Sequence, residues 1–249
     1  MVNNFLYKEI LETKNKNGYV KFALIDPDTK NDNKLIQIID EINDSSFDYV
    51  LVGGSMIEAS GYNDRIRKIK NHSIKPLILF PGSSKHITPN IKTMLYLNLI
   101  SGRNPKYLIE EQIDGAVMIN NYDIEVIPTA YILLDGGRVT SVQEVSKTIP
   151  LNMEDRDLIL KHALAGQYLG NKILYFDCGS NSENMINIDL IDYISKYISI
   201  PIMVGGGIST SKEIDDIVSA GASFVVCGTI FESSAESFCI NKELSKSPI

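Results

Sequence analysis

Two glycine-rich turns near the carboxyl end of the chain have the composition of phosphate-binding sites. Residues 204–208 read Val-Gly-Gly-Gly-Ile, and residues 226–229 read Val-Cys-Gly-Thr. Without a Cβ atom, glycine lets backbone N–H groups approach phosphate oxygens, and a helix N-terminus that follows adds a favourable partial charge. One such turn is usually only a tight connection, whereas two of them predict a phosphate site. The candidate residues are Gly206, Gly207, Gly228 and Thr229.

An acidic turn near the amino end offers a different chemistry. Asp26-Pro27-Asp28 follows an apolar run, and Gly54-Ser55 follows the next one. Carboxylate and hydroxyl oxygens at one rim are ligands of the kind that Mg²⁺ accepts beside substrate phosphates. Asp-Pro pairs are also common turn formers and helix caps, so the spacing alone leaves a metal site and a turn equally open.

A third candidate is Asp177, in the segment Tyr-Phe-Asp-Cys-Gly-Ser-Asn at residues 175–181. A carboxylate at the end of a strand could bind or deprotonate a hydroxyl group, or it could cap the next helix. The histidines have weaker claims: His72 and His86 are predicted in loops and His162 on the inward face of a helix. The sequence therefore gives no case for a zinc site or a Ser-His-Asp triad.

Strands must position these candidates, and the apolar runs predict eight of them. The runs are near-continuous rather than alternating, which is typical of strands buried on both faces. They cover residues 19–25, 49–52, 76–80, 94–100, 125–134, 172–176, 202–204 and 224–227.

The segments between the runs have helical periodicity. One stripe is Leu35, Ile38, Ile39 and Ile42, and a second begins at Ile214 after a capping box of Thr210 and Glu213, with Gly221 as its stop. A third stripe is Leu158, His162, Ala165 and Leu169, and Leu108 with Ile109 marks a short fourth helix. Alternating strands and helices predict an α/β fold, and eight strands favour a TIM (β/α)8 barrel with its active site at the carboxyl ends of the strands.

Two segments depart from the regular alternation. The segment 82–93 is short and includes Pro89, so the third crossover is predicted to be irregular rather than helical. Residues 135–152 are polar and rich in turn formers, and we expect loops or a hairpin there.

Composition limits the remaining possibilities. The 249 residues carry a net charge of −7, which disfavours nucleic-acid binding, and one TIM-barrel domain spanning residues 1–249 is expected. Cys178, Cys227 and Cys239 form no close pair, which is typical of buried thiols in a reducing compartment. No signal-peptide pattern or apolar run of about 18 residues is present, so we expect a cytoplasmic protein without a transmembrane segment.

Seven motifs in order give the chain a wider resemblance. They are residues 24–27 (LIDP), 52–55 (VGGS), 80–84 (FPGSS), 101–105 (SGRNP), 175–180 (YFDCGS), 204–208 (VGGGI) and 228–230 (GTI). Together they resemble the geranylgeranylglyceryl phosphate synthase family across almost the whole chain. The resemblance implies a modified TIM barrel with an irregular third crossover and frequent homo-oligomers. It also implies Mg²⁺-dependent transfer of a prenyl group from a polyprenyl diphosphate to the 3-hydroxyl of sn-glycerol 1-phosphate.

The resemblance also assigns roles to the candidate residues. Asp26 and Ser55 match the family's magnesium and diphosphate positions, and Asp177 is the candidate that orients the hydroxyl and receives its proton. The residues that match the glycerol phosphate positions are Tyr175, Phe176, Asp177, Cys178, Gly179, Ser180, Asn181, Gly206, Gly207, Gly228 and Thr229.

The chain departs from the family pattern at two of these positions. The family most often has Glu where this chain has Asp177, and Gly where it has Asn181. Leu24 and Gly228-Thr229 instead resemble the second major group of the family. An apolar groove for the prenyl chain is expected along the upper barrel wall and residues 94–100.

Two other functions fit the same residues. A phosphosugar isomerase would share the barrel and the glycine turns, with Asp26 and Asp177 as its acid and base pair. A phosphate-ligand sensor would retain the fold and bind ligand without turnover.

Overall fold

Eight parallel strands form a closed barrel in the computed structural model, which describes residues 5–55, 60–180 and 182–228. The strands follow one another in chain order, and the first pairs with the last, with Phe22 opposite Val226. The strands are β1 (Val20–Ile25), β2 (Tyr49–Val52), β3 (Leu77–Leu79), β4 (Thr93–Leu99), β5 (Glu125–Leu133), β6 (Ile173–Asp177), β7 (Ile202–Gly205) and β8 (Phe224–Cys227). The predicted TIM barrel is confirmed, because each apolar run matches its strand within about one residue at either end.

Helices accompany the barrel, with the first and the fifth at its two ends and the others around it. They are α1 (Phe5–Asn17), α2 (Leu35–Asp44), α3 (Tyr62–His72), α4 (Glu111–Asn121), α5 (Ser141–Ser146), α6 (Arg156–Tyr168), α7 (Ile188–Ser195) and α8 (Ser211–Ser219). The predicted stripe of α2 is buried as expected. The capping box of Thr210 and Glu213 begins α8, and Gly221 follows the helix with a φ of +113°. Within the described part of the chain, no helix has the length and apolar composition that a membrane span requires.

The predicted stripe of α6 is wrong except for His162. The residues that α6 buries are Ile159, His162, Ala163 and Gly166, whereas Leu169 is 72% exposed. The reason is close packing, since a Cβ atom on Gly166 would lie 2.5 Å from the Cβ of Ala130 in β5. Small residues let this helix approach the strand, while Leu158 and Leu169 of the predicted stripe are exposed.

The two irregular segments are partly as predicted. The third crossover holds only a 3₁₀ turn (Ser84–His86) between β3 and β4, which confirms its irregularity. The fully described segment 135–152 contains the short helix α5 instead of a hairpin, because the Thr140 hydroxyl caps it by accepting from the Gln143 N–H at 3.1 Å.

Three smaller predictions also need correction. The predicted short fourth helix is longer, since a π-helical turn (Lys106–Glu110) leads directly into α4. The two histidines assigned to loops end regular elements: His72 is the last residue of α3, and His86 is the last of the 3₁₀ turn.

The amino-terminal helix α1 covers the end of the barrel where the strands begin. The buried carboxylate of Glu125 accepts hydrogen bonds at 3.0 Å from the backbone N–H groups of Leu6 and Tyr7 in the first turn of α1. A carboxylate at a helix N-terminus is favoured by the helix dipole. The opposite end, where the strands terminate, is therefore the end at which a ligand can enter.

Candidate functional site

A cavity of about 370 Å³ lies at the carboxyl ends of the strands and gathers most of the predicted site residues. Those that line it are Asp26, Ser55, Tyr175, Asp177, Gly179, Ser180, Gly206, Gly207 and Gly228. Phe176 and Cys178 do not line it, since alternate residues of a strand point to opposite faces and these two pack in the core outside the barrel. Asn181 and Thr229 lie outside the described residues.

The turn after β7 approaches the turn after β6 closely. Gly206 has a φ of +93°, and a Cβ atom on it would lie 2.8 Å from both the backbone N and the backbone O of Gly179. Gly207 also has a positive φ, of +72°. Any larger residue at Gly206 would push the two turns apart, so glycine is required for their close approach. Glycine turns of this kind can present backbone N–H groups to anions such as phosphate.

The acidic turn after β1 contains a cap and a carboxylate that faces the cavity, and the metal site stays a prediction. Asp28 acts as a cap, because its Oδ1 accepts the backbone N–H of Thr29 at 2.6 Å. Both aspartates line the cavity, and the Oδ2 of Asp26 is 3.0 Å from the Lys30 ammonium. A Cβ atom on Gly54 would lie 2.9 Å from the Asp26 Oδ1, so the glycine after β2 leaves room for this carboxylate.

Asp177 ends β6 with both carboxylate oxygens engaged. Its Oδ1 accepts the Gly179 N–H at 2.8 Å, and its Oδ2 accepts the hydroxyl of Tyr131. Burial raises the pKa of Asp177, while the two hydrogen bonds act in the opposite direction by stabilising the carboxylate. The group is thus a buried carboxylate with a raised pKa, which suits it to accept a proton.

Sequence reasoning missed several side chains of this cavity, among them Tyr131, Lys30 and Arg138. Tyr131 lies on β5 opposite Tyr175, so only the β5–β6 register could have placed it beside Asp177. Lys30 and Arg138 add positive charge to the rim of an electronegative protein. The ion pair between Asp26 and Lys30 could have been predicted from the sequence, because the two residues are four positions apart.

An apolar groove adjoins the cavity and shares with it Gly54, Ser55, Phe80, Tyr131 and Val142. Its wall includes Met94, Tyr96, Leu97 and Leu99, from the segment in which a groove was expected. The irregular third crossover forms another part of the wall and is fastened to α4. The Glu111 carboxylate accepts hydrogen bonds from the Ser84 N–H at 2.6 Å and the Ser83 hydroxyl at 3.1 Å.

A TIM barrel with converging glycine turns, a buried carboxylate and an adjoining apolar groove belongs to the class of phosphate-ligand barrels, here with room for an apolar substrate. The chain belongs to the PcrB family, whose family model matches residues 9–244. Geranylgeranylglyceryl phosphate synthase from Flavobacterium johnsoniae is 41% identical over 234 residues, which cover 94% of this chain and 96% of that protein. The enzyme of the same name from Methanosphaera stadtmanae is 30% identical over 244 residues, 98% of both chains.

A solved structure agrees with these relatives. The crystal structure of (S)-3-O-geranylgeranylglyceryl phosphate synthase from Thermoplasma acidophilum, in complex with its substrate sn-glycerol-1-phosphate, matches with a TM-score of 0.87. It is 32% identical and covers 95% of each chain. The resemblance drawn from the seven sequence motifs is therefore confirmed.

Proposed function

We propose that this protein transfers a prenyl group from a polyprenyl diphosphate to the 3-hydroxyl of sn-glycerol 1-phosphate. The observation that carries the proposal is the junction of a polar cavity with an apolar groove at Phe80 and Tyr131. One substrate is wholly polar and the other has a polar head and an apolar tail, which matches these two adjoining sites. The relatives named above favour this function over the isomerase. The product is an ether-linked prenylglyceryl phosphate, a building block of ether phospholipids.

The glycerol phosphate fits the side of the cavity formed by the turns after β6, β7 and β8. Its phosphate would accept hydrogen bonds from the N–H groups around Gly206, Gly207 and Gly228, and from the Ser180 hydroxyl. Asp177, the last residue of β6, lies directly before the first of these turns and would accept the hydrogen bond of the 3-hydroxyl. The carboxylate would then hold the nucleophilic oxygen toward the groove.

The prenyl diphosphate fits the opposite side, with its diphosphate near Asp26, Ser55 and Lys30 and its tail in the groove. The residues present also suit Mg²⁺, because this ion is commonly held by one or two carboxylates together with substrate phosphates. Among the described residues no group of three His, Cys, Asp or Glu side chains could hold a metal alone. Asp26 and Ser55 would therefore share the ion with the diphosphate.

In the reaction one bond breaks, one bond forms and one proton is transferred. The bond between C1 of the prenyl group and the diphosphate oxygen breaks, and the 3-hydroxyl oxygen forms a new bond to C1. The hydroxyl proton passes to Asp177, and diphosphate leaves. A bound Mg²⁺ would neutralise charge on the leaving group. The protein itself holds the two substrates in contact and excludes water, which accounts for a large part of such rate accelerations.

Product analysis tests this function. The purified protein is incubated with sn-glycerol 1-phosphate, Mg²⁺ and prenyl diphosphates of graded chain length, and the products are identified by mass spectrometry. We expect an ether product that disappears in the Asp177→Asn variant. Turnover of a phosphoribosyl substrate instead would support the isomerase, and binding without any ether product would support the sensor.

We further propose that the protein forms homo-oligomers through α4 and the π-helical turn before it. Ile109, Ile113 and Val117 are spaced four residues apart along one face and are 53%, 64% and 69% exposed. Contiguous exposed apolar side chains are typical of interaction surfaces. Light scattering of the eluted protein should give a multiple of 27.7 kDa, and Ile113→Asp should reduce it. A monomeric wild type would contradict the proposal.

The cytoplasmic location remains a prediction.

A further inference from the structure

We propose that Tyr131 is a positioning residue whose hydroxyl holds the Asp177 carboxylate in place for the acceptor hydroxyl of glycerol phosphate. This inference rests on the proposed function and adds a residue that the sequence did not identify. It is carried by the contact between the Tyr131 hydroxyl and the Asp177 Oδ2, at the wall shared by the polar cavity and the apolar groove.

The Asp177 carboxylate is fixed from two directions. The Gly179 N–H binds Oδ1 from the turn that follows β6, and the Tyr131 hydroxyl binds Oδ2 from the neighbouring strand β5. Each carboxylate oxygen can accept a second hydrogen bond, so the carboxylate can still receive a substrate hydroxyl. Without Tyr131, only the bond to its own turn would hold Asp177, and the carboxylate could rotate about its side-chain bonds.

The Tyr131 hydroxyl is itself held in position. Tyr131 is 3% exposed, and its ring packs edge-on against Tyr175 with the centroids 5.2 Å apart. The Phe80 ring lies tilted against the Tyr131 ring, with the centroids 6.4 Å apart. Burial and the adjacent Asp177 raise the pKa of Tyr131 well above its usual value, so the phenol stays protonated and donates to the carboxylate. The donor thus keeps one position and one direction.

A purely structural role for the hydroxyl makes a different prediction. A hydroxyl that serves packing alone would affect stability when removed, and would leave the pKa of Asp177 and kcat unchanged. A positioning hydroxyl also stabilises the charged form of Asp177, so its loss raises the pKa of that carboxyl. The other titratable groups near Asp177 are Tyr175 on β6 and Cys178 beside it, and Tyr131→Phe leaves both of these side chains in place.

The test is Tyr131→Phe, which keeps the ring and removes only the hydroxyl. We expect kcat to fall about 10- to 100-fold, the range for losing a hydrogen bond to a charged group, with the KM for the prenyl diphosphate unchanged. The acid limb of the kcat profile should move to higher pH. The matched control is Tyr49→Phe, at the far end of the barrel, where the buried Tyr49 hydroxyl lies 3.2 Å from the Glu9 carboxylate. This control should retain the kcat and the pH profile of the wild type.

A double-substitution cycle checks that Tyr131 acts through Asp177. Glu at position 177 extends the acid by one methylene and moves its oxygens away from the Tyr131 hydroxyl. Tyr131→Phe should therefore cost less in the Asp177→Glu protein than in the wild type. Equal losses in the two backgrounds would overturn the proposal.

A measurement without substrates separates this inference from the proposed function. Carbon-13 NMR of labelled aspartate, with the Asp177 signal assigned by its absence in Asp177→Asn, gives the pKa of the carboxyl in the ligand-free protein. Tyr131→Phe should raise that pKa whether or not the wild type forms an ether. An unchanged Asp177 pKa, together with wild-type kcat, would show that the hydroxyl serves packing alone. An elevated pKa in a protein without ether product would contradict the proposed function and leave the role of Tyr131 in holding Asp177 supported.

Discussion

Replacing Gly206 by alanine should damage the phosphate site more than the fold. Gly206 has a φ of +93°, and alanine in a left-handed conformation costs about 1–2 kcal/mol. The new Cβ atom would also lie 2.8 Å from Gly179 N and O and 2.9 Å from Cys178 N. These are backbone atoms, so no side chain can rotate to relieve the contact, and the turn after β6 must shift.

A matched control separates the effect of the contact between the new Cβ and the backbone from the effect of the left-handed conformation. Gly170, which follows α6, has a φ of +88°, and a Cβ atom there would meet nothing within 4 Å. Gly170→Ala should therefore lower the free energy of unfolding by about 1–2 kcal/mol through backbone strain alone. Gly206→Ala should lower it further and should also move the Gly179 N–H away from Asp177.

Two assays on both variants test this reasoning. Denaturant unfolding gives the free energy of unfolding, and calorimetric titration with sn-glycerol 1-phosphate gives the affinity. We expect Gly206→Ala to weaken binding at least tenfold, or about 1.4 kcal/mol, and Gly170→Ala to bind like the wild type. Equal affinities and equal stabilities in the two variants would refute the assignment of Gly206 to the phosphate site.

Three further substitutions or treatments have defined outcomes. Asp26→Asn should abolish Mg²⁺-dependent turnover and leave the circular dichroism spectrum unchanged, and full activity would remove Asp26 from the metal site. Glu125→Gln replaces the charged acceptor at the start of α1, so it should lower the free energy of unfolding by about 1.5–3 kcal/mol in a denaturant titration; no change would mean that α1 docks without this charge. Burial raises the pKa of Cys178, and that of Cys227 to about 12, so both thiols should escape iodoacetamide until the protein is unfolded. Peptide mass spectrometry that finds either one alkylated in the native protein would contradict their burial.

The sequence predicted the features whose signals are local. Near-continuous apolar runs identify strands buried on both faces, and glycines directly after them identify the rim turns, so the barrel and the positions of Asp26, Asp177 and Gly206 followed from short stretches. The capping box at Thr210 is equally local and was found for the same reason.

Features that depend on packing between distant segments were missed. The inward face of α6 was misassigned because close contact with β5 selects the small residues Ala163 and Gly166 over larger apolar ones. Helix α1 buries only Ile10 completely, so its apolar pattern was too weak to predict it. Tyr131 contacts Asp177 only through the β5–β6 register, which periodicity within one segment cannot give.

A crystal structure with sn-glycerol 1-phosphate and a non-hydrolysable prenyl diphosphate analogue bound together would test the central claim most directly. We predict a phosphate against the turns at Gly206 and Gly228, the 3-hydroxyl on Asp177 and the prenyl tail along Met94 and Leu97. The 3-hydroxyl oxygen should lie about 3–3.5 Å from C1 of the prenyl group. A phosphate bound elsewhere, or a prenyl tail outside the groove, would contradict prenyl transfer at this site.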